Sequence, residues 1–546
     1  MKILIIGGVA AGTKVAAKLK REDRDAEVTI LVKEKEISYA GCGLPYYVGG
    51  VIEERAKLIV NTPEKFAALT GSRVITCKEA CNVDRIAKTV TARDTESGEE
   101  DTYSYDKLVI TVGARALVPP VSGTNLKNVF VMRKPEDADA LRSAAENGSI
   151  KRAVVCGAGF IGLEVAENLA ARGIKVSVID MMEQILPGFD TEMASFAERS
   201  LADHGISCFT GMKLEEIIGT DTVEKIKTDR RTMKADCVVL ALGIRPNTEF
   251  LAESGIEMTP RGLIKVDSSM RTNDENIYAA GDCVTVANRI TKTAVWSPMG
   301  SSANIEGRLL AQVLTGEKKR YEGVLGTGVC KLPELNVGRT GLTETAAKEA
   351  GYDVISVVAV VDDKAHYYPG ASLFIIKMTA CRSTEKLLGV QVLGRGSVDK
   401  IVDTAAVAIT MNASLSDIEN IDLAYAPPFS TAIHPLLNTV NILQNKISGR
   451  MSSMTPLEYV SGAAEGFRQI DASIIHTLTD LPYIDLTKIN APIPGYALDE
   501  KLLLICQKGK RAYLTQNIMR HYGYTATKIL EGGHIFNEIT HKENLN

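Results

Sequence analysis

Ala153-Val154-Val155-Cys156-Gly157-Ala158-Gly159-Phe160-Ile161-Gly162 is a short apolar run entering a glycine turn, followed by a helical stretch, Leu163–Arg172. Glycines let a backbone turn tightly and approach a pyrophosphate, whose charge a helix N-terminus favours. The next apolar run, Lys175–Ile179, ends in Asp180. An acid about 20 residues past the turn accepts ribose hydroxyls and repels a 2′-phosphate. Met181 and Met182 stand where an arginine would hold that phosphate. The stretch therefore predicts an α/β dinucleotide-binding fold. It takes NADH in preference to NADPH, through Gly157, Gly159, Gly162 and Asp180.

The N-terminus repeats the theme. Lys2–Ile6 reads as a strand, Gly7-Gly8-Val9-Ala10-Ala11-Gly12 as a turn, and Thr13 to Arg21 as a helix. Val9 replaces the middle glycine, so Gly7, Gly8, Ala10 and Gly12 carry a weaker form of the pattern. Val28–Val32 is the expected second strand, and Glu34 beyond it is the candidate ribose acid. Two later strands suggest a flavin rather than a second nicotinamide. Leu108–Val112 ends at a glycine turn that brings in Thr111 and Gly113. Asn276-Ile277-Tyr278-Ala279-Ala280-Gly281-Asp282 ends in an acid placed to bind a ribityl hydroxyl.

At 546 residues the chain has room for roughly three or four domains. Hydrophobic residues make up 45% and mean hydropathy is +0.02, so large cores are expected and disorder is not. Net charge of −4 argues against a general nucleic-acid binder. No apolar run reaches the roughly 20 residues of a membrane span. The ten cysteines lack disulfide-framework spacing, which fits a reducing, cytoplasmic location. Cys77 and Cys81 have no nearby histidine, so no metal site is expected.

Between the two turns lies Ile37-Ser38-Tyr39-Ala40-Gly41-Cys42-Gly43-Leu44-Pro45-Tyr46-Tyr47. Cys42 has no partner cysteine within the next few residues, so it must pair with something from outside. As a thiolate it can face a flavin and exchange with a disulfide. Lys14, Lys18 and Arg21, spaced i, i+4 and i+7, share one face of the first helix. Such a stripe is either a solvated charged face or a phosphate-binding one.

The order of glycine turn, cysteine loop, Thr111-Val112-Gly113-Ala114, second glycine turn, Ala241–Asn247 (with Gly243) and Tyr278–Asp282 resembles the two-dinucleotide-binding disulfide reductase flavoproteins, over about residues 1–447. The Cys42 loop resembles their coenzyme A-disulfide and NADH-dependent persulfide reductases. That resemblance implies FAD, NADH and coenzyme A as cofactors. It also implies a mixed disulfide between Cys42 and CoA, and CoA contacts from Ser38 and Asn61; the Lys14, Lys18 and Arg21 stripe is then read as holding the CoA phosphates, with Asn304 as a further substrate contact. The rival branch, NADH oxidases and peroxidases, cycles its cysteine through a sulfenic acid and resembles this chain in fold. It places a histidine in the first turn where Ala10 stands here, and no histidine precedes His204. His366–Gly370 and Tyr425–Phe429 resemble segments of the family's dimerisation domain, which implies a homodimer with Tyr367 and Tyr425 reaching the partner's active site. A phenol there can donate a proton to a leaving thiolate. His434-Pro435 lacks a glutamate at helical spacing and is read as structural.

Ser448–Pro456 is rich in small residues and reads as a linker. Beyond it, Lys501–Ile505 is an apolar strand ending at Cys506, and a helix follows from about Ala512. Cys506-Gln507-Lys508-Gly509-Lys510-Arg511 resembles the rhodanese active-site loop, in which backbone amides surround a sulfur-carrying cysteine. No D-x-R strand is recognisable before it, so residues 457–500 read as abridged.

The expected fold is α/β: two Rossmann-like dinucleotide-binding domains, an α+β dimerisation domain and an abridged rhodanese-like C-terminal α/β domain. Expected boundaries are 1–114 with 244–321 for FAD, 115–243 for NADH, 322–447 for dimerisation and 457–546 for the C-terminal domain. The expected activity is FAD-dependent, NADH-driven reduction of CoA disulfide, CoA persulfide or polysulfide through Cys42. The alternatives are oxidase or peroxidase chemistry at a Cys42 sulfenic acid, electron transfer to a small redox protein, and a CoA-binding redox sensor.

Overall fold

The computed structural model of the protein describes residues 1–538, and residues 539–546 at the end of the expected C-terminal domain lie outside it. Two compact units divide the chain: 1–185 with 205–324, and 186–204 with the remainder from 325.

The first unit holds two five-stranded parallel sheets. In one, the strand Lys2–Ile6 pairs with Glu27–Leu31 on one side and Lys107–Ile110 on the other; Ile277–Ala279 and Arg73–Ile75 form the edges. Ile3, Leu4, Ile5 and Ile6 are all buried, as expected of a parallel strand covered on both faces. The helix Ala11–Glu22 covers one face, burying Val15, Ala16 and Leu19 at helical spacing. The second sheet repeats the plan. Arg152–Cys156 lies between Lys175–Ile179 and Cys237–Leu240, and the helix Phe160–Ala171 follows the turn. Both helices start two or three residues earlier than the sequence suggests, because the turn glycines lead straight into the first helical residues. The antiparallel ribbon Ala114–Ala116 with Ile244–Pro246 joins the sheets, and Asn247 caps it by donating to the Val112 carbonyl at 3.1 Å.

The second unit begins with the helix Thr191–Asp203 and a five-stranded antiparallel sheet, ordered Gly328–Leu332, Leu335–Gly341, Leu387–Gly394, Leu373–Cys381, Val354–Asp362. Lys377 stands on this sheet, 1% exposed, with Nζ 3.1 Å from Asp190, 2.5 Å from Glu192 and 2.8 Å from Glu344. His434 caps the helix Pro435–Ile447 by accepting the Leu436 N–H, and burial pushes its pKa down to about 4, so it is a neutral structural group.

A four-stranded parallel sheet closes the unit, ordered Ser453–Met454, Thr527–Leu530, Leu502–Ile505, Arg468–Asp471. This corrects two expectations. The supposed linker already belongs to the sheet, since Met451 and Met454 are buried and Thr455 with Glu458 forms a capping box. A strand does precede the cysteine strand, ending at a fully buried Asp471 that accepts the Ser473, Thr477 and Leu478 amides. Ser473 stands two residues beyond that aspartate, where the sought pattern has arginine, which hid the strand from recognition. Among the described residues no helix is long and apolar enough to cross a membrane.

Candidate active site

The first glycine turn is closed by contact rather than composition. Gly7 has φ +105°, and a Cβ there would lie 2.2 Å from the Thr111 carbonyl oxygen. A Cβ on Gly12 would lie 1.9 Å from the Gly7 oxygen. Thr111 locks the turn by donating to the Ile6 and Gly7 carbonyls at 2.9 and 3.1 Å. The second turn is built alike, with Gly157 and Gly162 equally crowded, while a Cβ on Gly159 would meet nothing within 4 Å. Gly159 thus faces open space at a helix N-terminus, the position a pyrophosphate takes. Asp180 is held ready beside it: its Oδ2 accepts the Ala158 N–H at 2.7 Å and its Oδ1 the Met182 N–H at 2.9 Å.

The matching position of the first fold follows from register. Gly7 N–H donates to Leu31, and Gly157 N–H to Ile179, each at 2.8 Å. The residue corresponding to Asp180 is therefore Val32, which is 1% exposed. Glu34 lies two residues farther on, and its carboxylate pairs with Lys134 Nζ at 2.7 Å. Glu34 therefore does not occupy the place of a ribose acid. Val32 is still within the sheet, donating to Ile75 and accepting from Lys78, so the chain reaches Glu34 only after leaving that position. Asp282 does not end its strand, which stops at Ala279; it lies in the turn three residues on, paired with Arg133 at 2.6 Å. Beneath it, Glu306 accepts the Gly281 N–H at 2.7 Å, and burial pushes its pKa up to about 7.

Cys42 sits in a single 3-10 turn, Gly41–Gly43, immediately before the short helix Leu44–Gly49. That helix lies hard against the helix of the second glycine turn, where a Cβ on Gly49 would be 2.0 Å from the Asn168 amide oxygen. Tyr46 donates to Glu164 Oε1 at 3.3 Å, and Tyr47 to Asp139 at 3.1 Å. The cysteine loop and the nucleotide turn are thus parts of one packed structure. Glu164 is half-buried, and burial raises its pKa to about 7. Cys42 is exposed as a residue, yet the enclosing protein withdraws enough water to push its thiol pKa up. Glu164 and Asp282 add to this and Arg133 opposes it. The protein's own groups therefore favour the neutral thiol at Cys42. At pH 8 Glu164 is ionised, so Glu164→Gln should lower the Cys42 pKa. Iodoacetamide should then alkylate Cys42 about two- to fivefold faster. An unchanged rate, followed by peptide mass, would remove Glu164 from the cysteine's electrostatics. Glu164 escaped the sequence reading, although an acid two residues past Gly162 in a mostly apolar helix turn was the available signal.

A cavity of about 350 Å³ is lined by Lys14, Arg21, Ser38, Tyr39, Asn61 and Asn304. Five of the six expected CoA-contacting residues are thereby brought together. The sixth, Lys18, is paired with Glu22 instead, because an acid one helical turn on gives it a local partner. Ser38 adopts φ +50°, a left-handed conformation uncommon outside glycine, held by its N–H to Gly8 and its carbonyl from Val60. The Ser38–Tyr39 wall of the cavity runs directly into the Cys42 loop.

In the second unit, Tyr367 and Tyr425 are exposed, and the neighbouring Tyr367 phenol raises the Tyr425 pKa. Cys506 is 1% exposed at the end of its strand, and its sulfur accepts the Gly509 and Ala512 amides at 3.2 and 3.3 Å. Lys508 of that loop pairs with Asp362 at 2.7 Å. Among the described residues no cluster could hold a metal ion.

Several known proteins are similar to this chain. A coenzyme A polysulfide/persulfide reductase of Pyrococcus horikoshii is 36% identical over 81% of this chain and 98% of its own. A coenzyme A disulfide reductase of Staphylococcus epidermidis is 30% identical over 80% of this chain and 98% of its own. The solved structure of a NAD-dependent persulfide reductase from A. fulgidus superposes with a TM-score of 0.93 at 34% identity, covering 98% of this chain and 100% of that one. Residues 1–300 match the pyridine nucleotide-disulphide oxidoreductase family and residues 329–437 its dimerisation domain. With its paired nucleotide turns around a lone cysteine, the chain belongs to the pyridine nucleotide-disulphide oxidoreductases.

Proposed function

We propose that this protein is an FAD-dependent NAD(P)H oxidoreductase that reduces CoA disulfide or CoA persulfide through a mixed disulfide at Cys42. The single observation that carries this reading is the cavity that gathers Lys14, Arg21, Ser38, Asn61 and Asn304 beside the cysteine loop. Two cations and several neutral polar groups suit a phosphorylated thiol carrier, whereas oxygen or peroxide needs no such pocket.

The residues at the first turn fit a flavin dinucleotide in most respects. The crowded Gly7 and Gly12 leave the start of the Ala11–Glu22 helix free for its pyrophosphate, and Asp282 stands at the far end for the ribityl chain. Val32 offers no carboxylate to the adenosine ribose. FAD held by these residues would supply the two-electron relay between the nicotinamide and sulfur. The Cys42 thiolate attacks one sulfur of CoA disulfide, forming Cys42–S–S–CoA and expelling a CoA thiolate. Two electrons then break that bond, releasing the second CoA and restoring the Cys42 thiolate. The sum is NADH, a proton and CoA disulfide giving NAD⁺ and two CoA thiols. With CoA persulfide, attack on the outer sulfur expels CoA thiolate and leaves a persulfide on Cys42, whose S–S bond two electrons then break to release hydrosulfide and restore the Cys42 thiolate. In a homodimer, Tyr367 and Tyr425 of one copy would reach the active site of the other and supply the leaving thiolate's proton.

We assign FAD binding to residues 1–114 with 244–321, NADH binding to 115–243 and dimerisation to 322–447. Exposed Val407, Met411, Phe429 and Ile433 suit a homodimer surface. The C-terminal sheet is rhodanese-like in this reading, with Cys506 as sulfur carrier, supported by two amides converging on its sulfur and a helix N-terminus beside it.

The test is intact mass under denaturing, non-reducing conditions, before and after dithiothreitol. A reducible adduct of CoA mass mapped to Cys42 is the expected result. An oxygen adduct at Cys42, with no CoA bound even after incubation with CoA disulfide, would instead support the sulfenic acid reading.

A further inference from the structure

Asp180 should make the second nucleotide turn an NADH site, since an acid at the ribose repels a 2′-phosphate. The surroundings of Asp180 complicate that rule. Its N–H donates to Phe209 and its carbonyl accepts from Met212, so the loop after Asp180 lies along the loop after Phe209. The two are tied again where Gly211 N–H donates to the Met182 carbonyl at 2.7 Å. Over Gly211 (φ +59°) two side chains converge. A Cβ built there would be 2.9 Å from Arg230 Nη2 and 3.0 Å from Glu183 Oε2, so only glycine leaves space for both. The neighbouring Arg231 lies over the Phe209 ring, its guanidinium carbon 3.8 Å from the centroid.

These arginines are not on a free-swinging hairpin. Thr228 Oγ1 accepts the N–H of both Arg230 and Arg231, at 3.3 and 3.0 Å. The turn is pinned to the 210–213 loop where Lys213 N–H donates to Asp229 Oδ1 at 2.9 Å and Asp229 N–H to the Lys213 carbonyl at 3.1 Å. Both arginines are exposed, and neither has an ion pair within 4 Å among the described residues. Both oxygens of Asp180, by contrast, already accept backbone amides, which stabilises and partly offsets its charge.

We infer that the Arg230–Arg231 turn is a 2′-phosphate subsite, so that one dinucleotide site admits NADPH as well as NADH. Glu183 is its built-in opponent: its carboxylate lies over the same Gly211 as the Arg230 guanidinium, so a 2′-phosphate must enter beside a negative charge. A planar guanidinium with several donors suits a phosphate dianion, and a shallow, exposed position makes the preference graded rather than absolute. This inference rests on the nucleotide reading of the Gly157–Gly162 turn.

The test is calorimetric titration of the FAD-loaded full chain with adenosine 2′,5′-bisphosphate and, separately, with 5′-ADP. Arg230→Ala should weaken the 2′,5′-bisphosphate about tenfold and leave 5′-ADP within about twofold. Glu183→Gln should strengthen the 2′,5′-bisphosphate alone. Loss of both ligands together in Arg230→Ala, or loss of neither, overturns the subsite. If wild type binds neither ligand, the nucleotide reading of the turn falls instead.

Discussion

Cys42→Ser is expected to purify with FAD bound and with wild-type thermal stability, yet to reduce CoA disulfide at least roughly a thousandfold more slowly. The substitution is nearly isosteric at an exposed residue, so the fold should shift by no more than about 0.5 kcal/mol. What is lost is chemical. A hydroxyl cannot become the anionic nucleophile near neutral pH, nor can it form the mixed disulfide. Flavin absorbance, reduction of bound FAD by NADH and steady-state turnover of CoA disulfide together check the prediction. The informative pattern is intact NADH-to-flavin reduction with turnover abolished. Turnover within a factor of a few of wild type would remove Cys42 from the mechanism.

Lys377→Met is expected to cost the second unit about 3–5 kcal/mol at pH 7. Three carboxylates, Asp190, Glu192 and Glu344, converge on this one buried ammonium. Methionine keeps the length and apolar character of the stem but leaves the acids facing one another without a cation. The loss should depend on pH. Burial alone would raise Glu344, but Lys377, together with Lys348 and Ser356, holds it down to about 2 from its ordinary 4.5. That depression contributes stability above about pH 4.5, lost as pH falls toward 2. Glu192 behaves oppositely: burial outweighs Lys377 and raises it, so its ionisation costs stability as pH rises past its ordinary range. In the variant both acids lose the opposing cation, and protonation relieves their repulsion. Wild type and variant should therefore differ most near pH 7 and converge as pH falls toward 4. Urea unfolding across that range checks it, and a difference that does not change with pH would show the cluster is held by packing rather than charge.

Much of the nucleotide architecture was legible because its signals are local. A strand of buried aliphatics, a glycine turn and a helix are consecutive in sequence, and the spacing from Gly157 to Asp180 is set by a single βαβ unit. Cys42 was equally legible, since the absence of a neighbouring cysteine is itself a local fact. Ser38 and Asn61 came instead through resemblance, and the cavity then gathered them with Lys14, Arg21 and Asn304.

The remaining features depend on residues far apart in the chain. Sequence order alone put Glu34 after the second strand, but the register of that strand decides that Val32 faces the nucleotide turn. Helical spacing put Lys18 with Lys14 and Arg21, but Glu22 one turn away claims it. Tyr46 meets Glu164, Tyr367 meets Tyr425 and Lys377 meets Asp190 only after the chain has folded. No periodicity encodes such pairs. Local spacing thus determined which backbone turns could hold a nucleotide and which cysteine could react. Tertiary packing alone decided which groups lose water, and therefore the raised thiol of Cys42 and the raised carboxyl of Glu164, and it brought the exposed Arg230 and Glu183 together over Gly211. The reason is that desolvation and Coulomb energy depend on distance through space, not on distance along the chain.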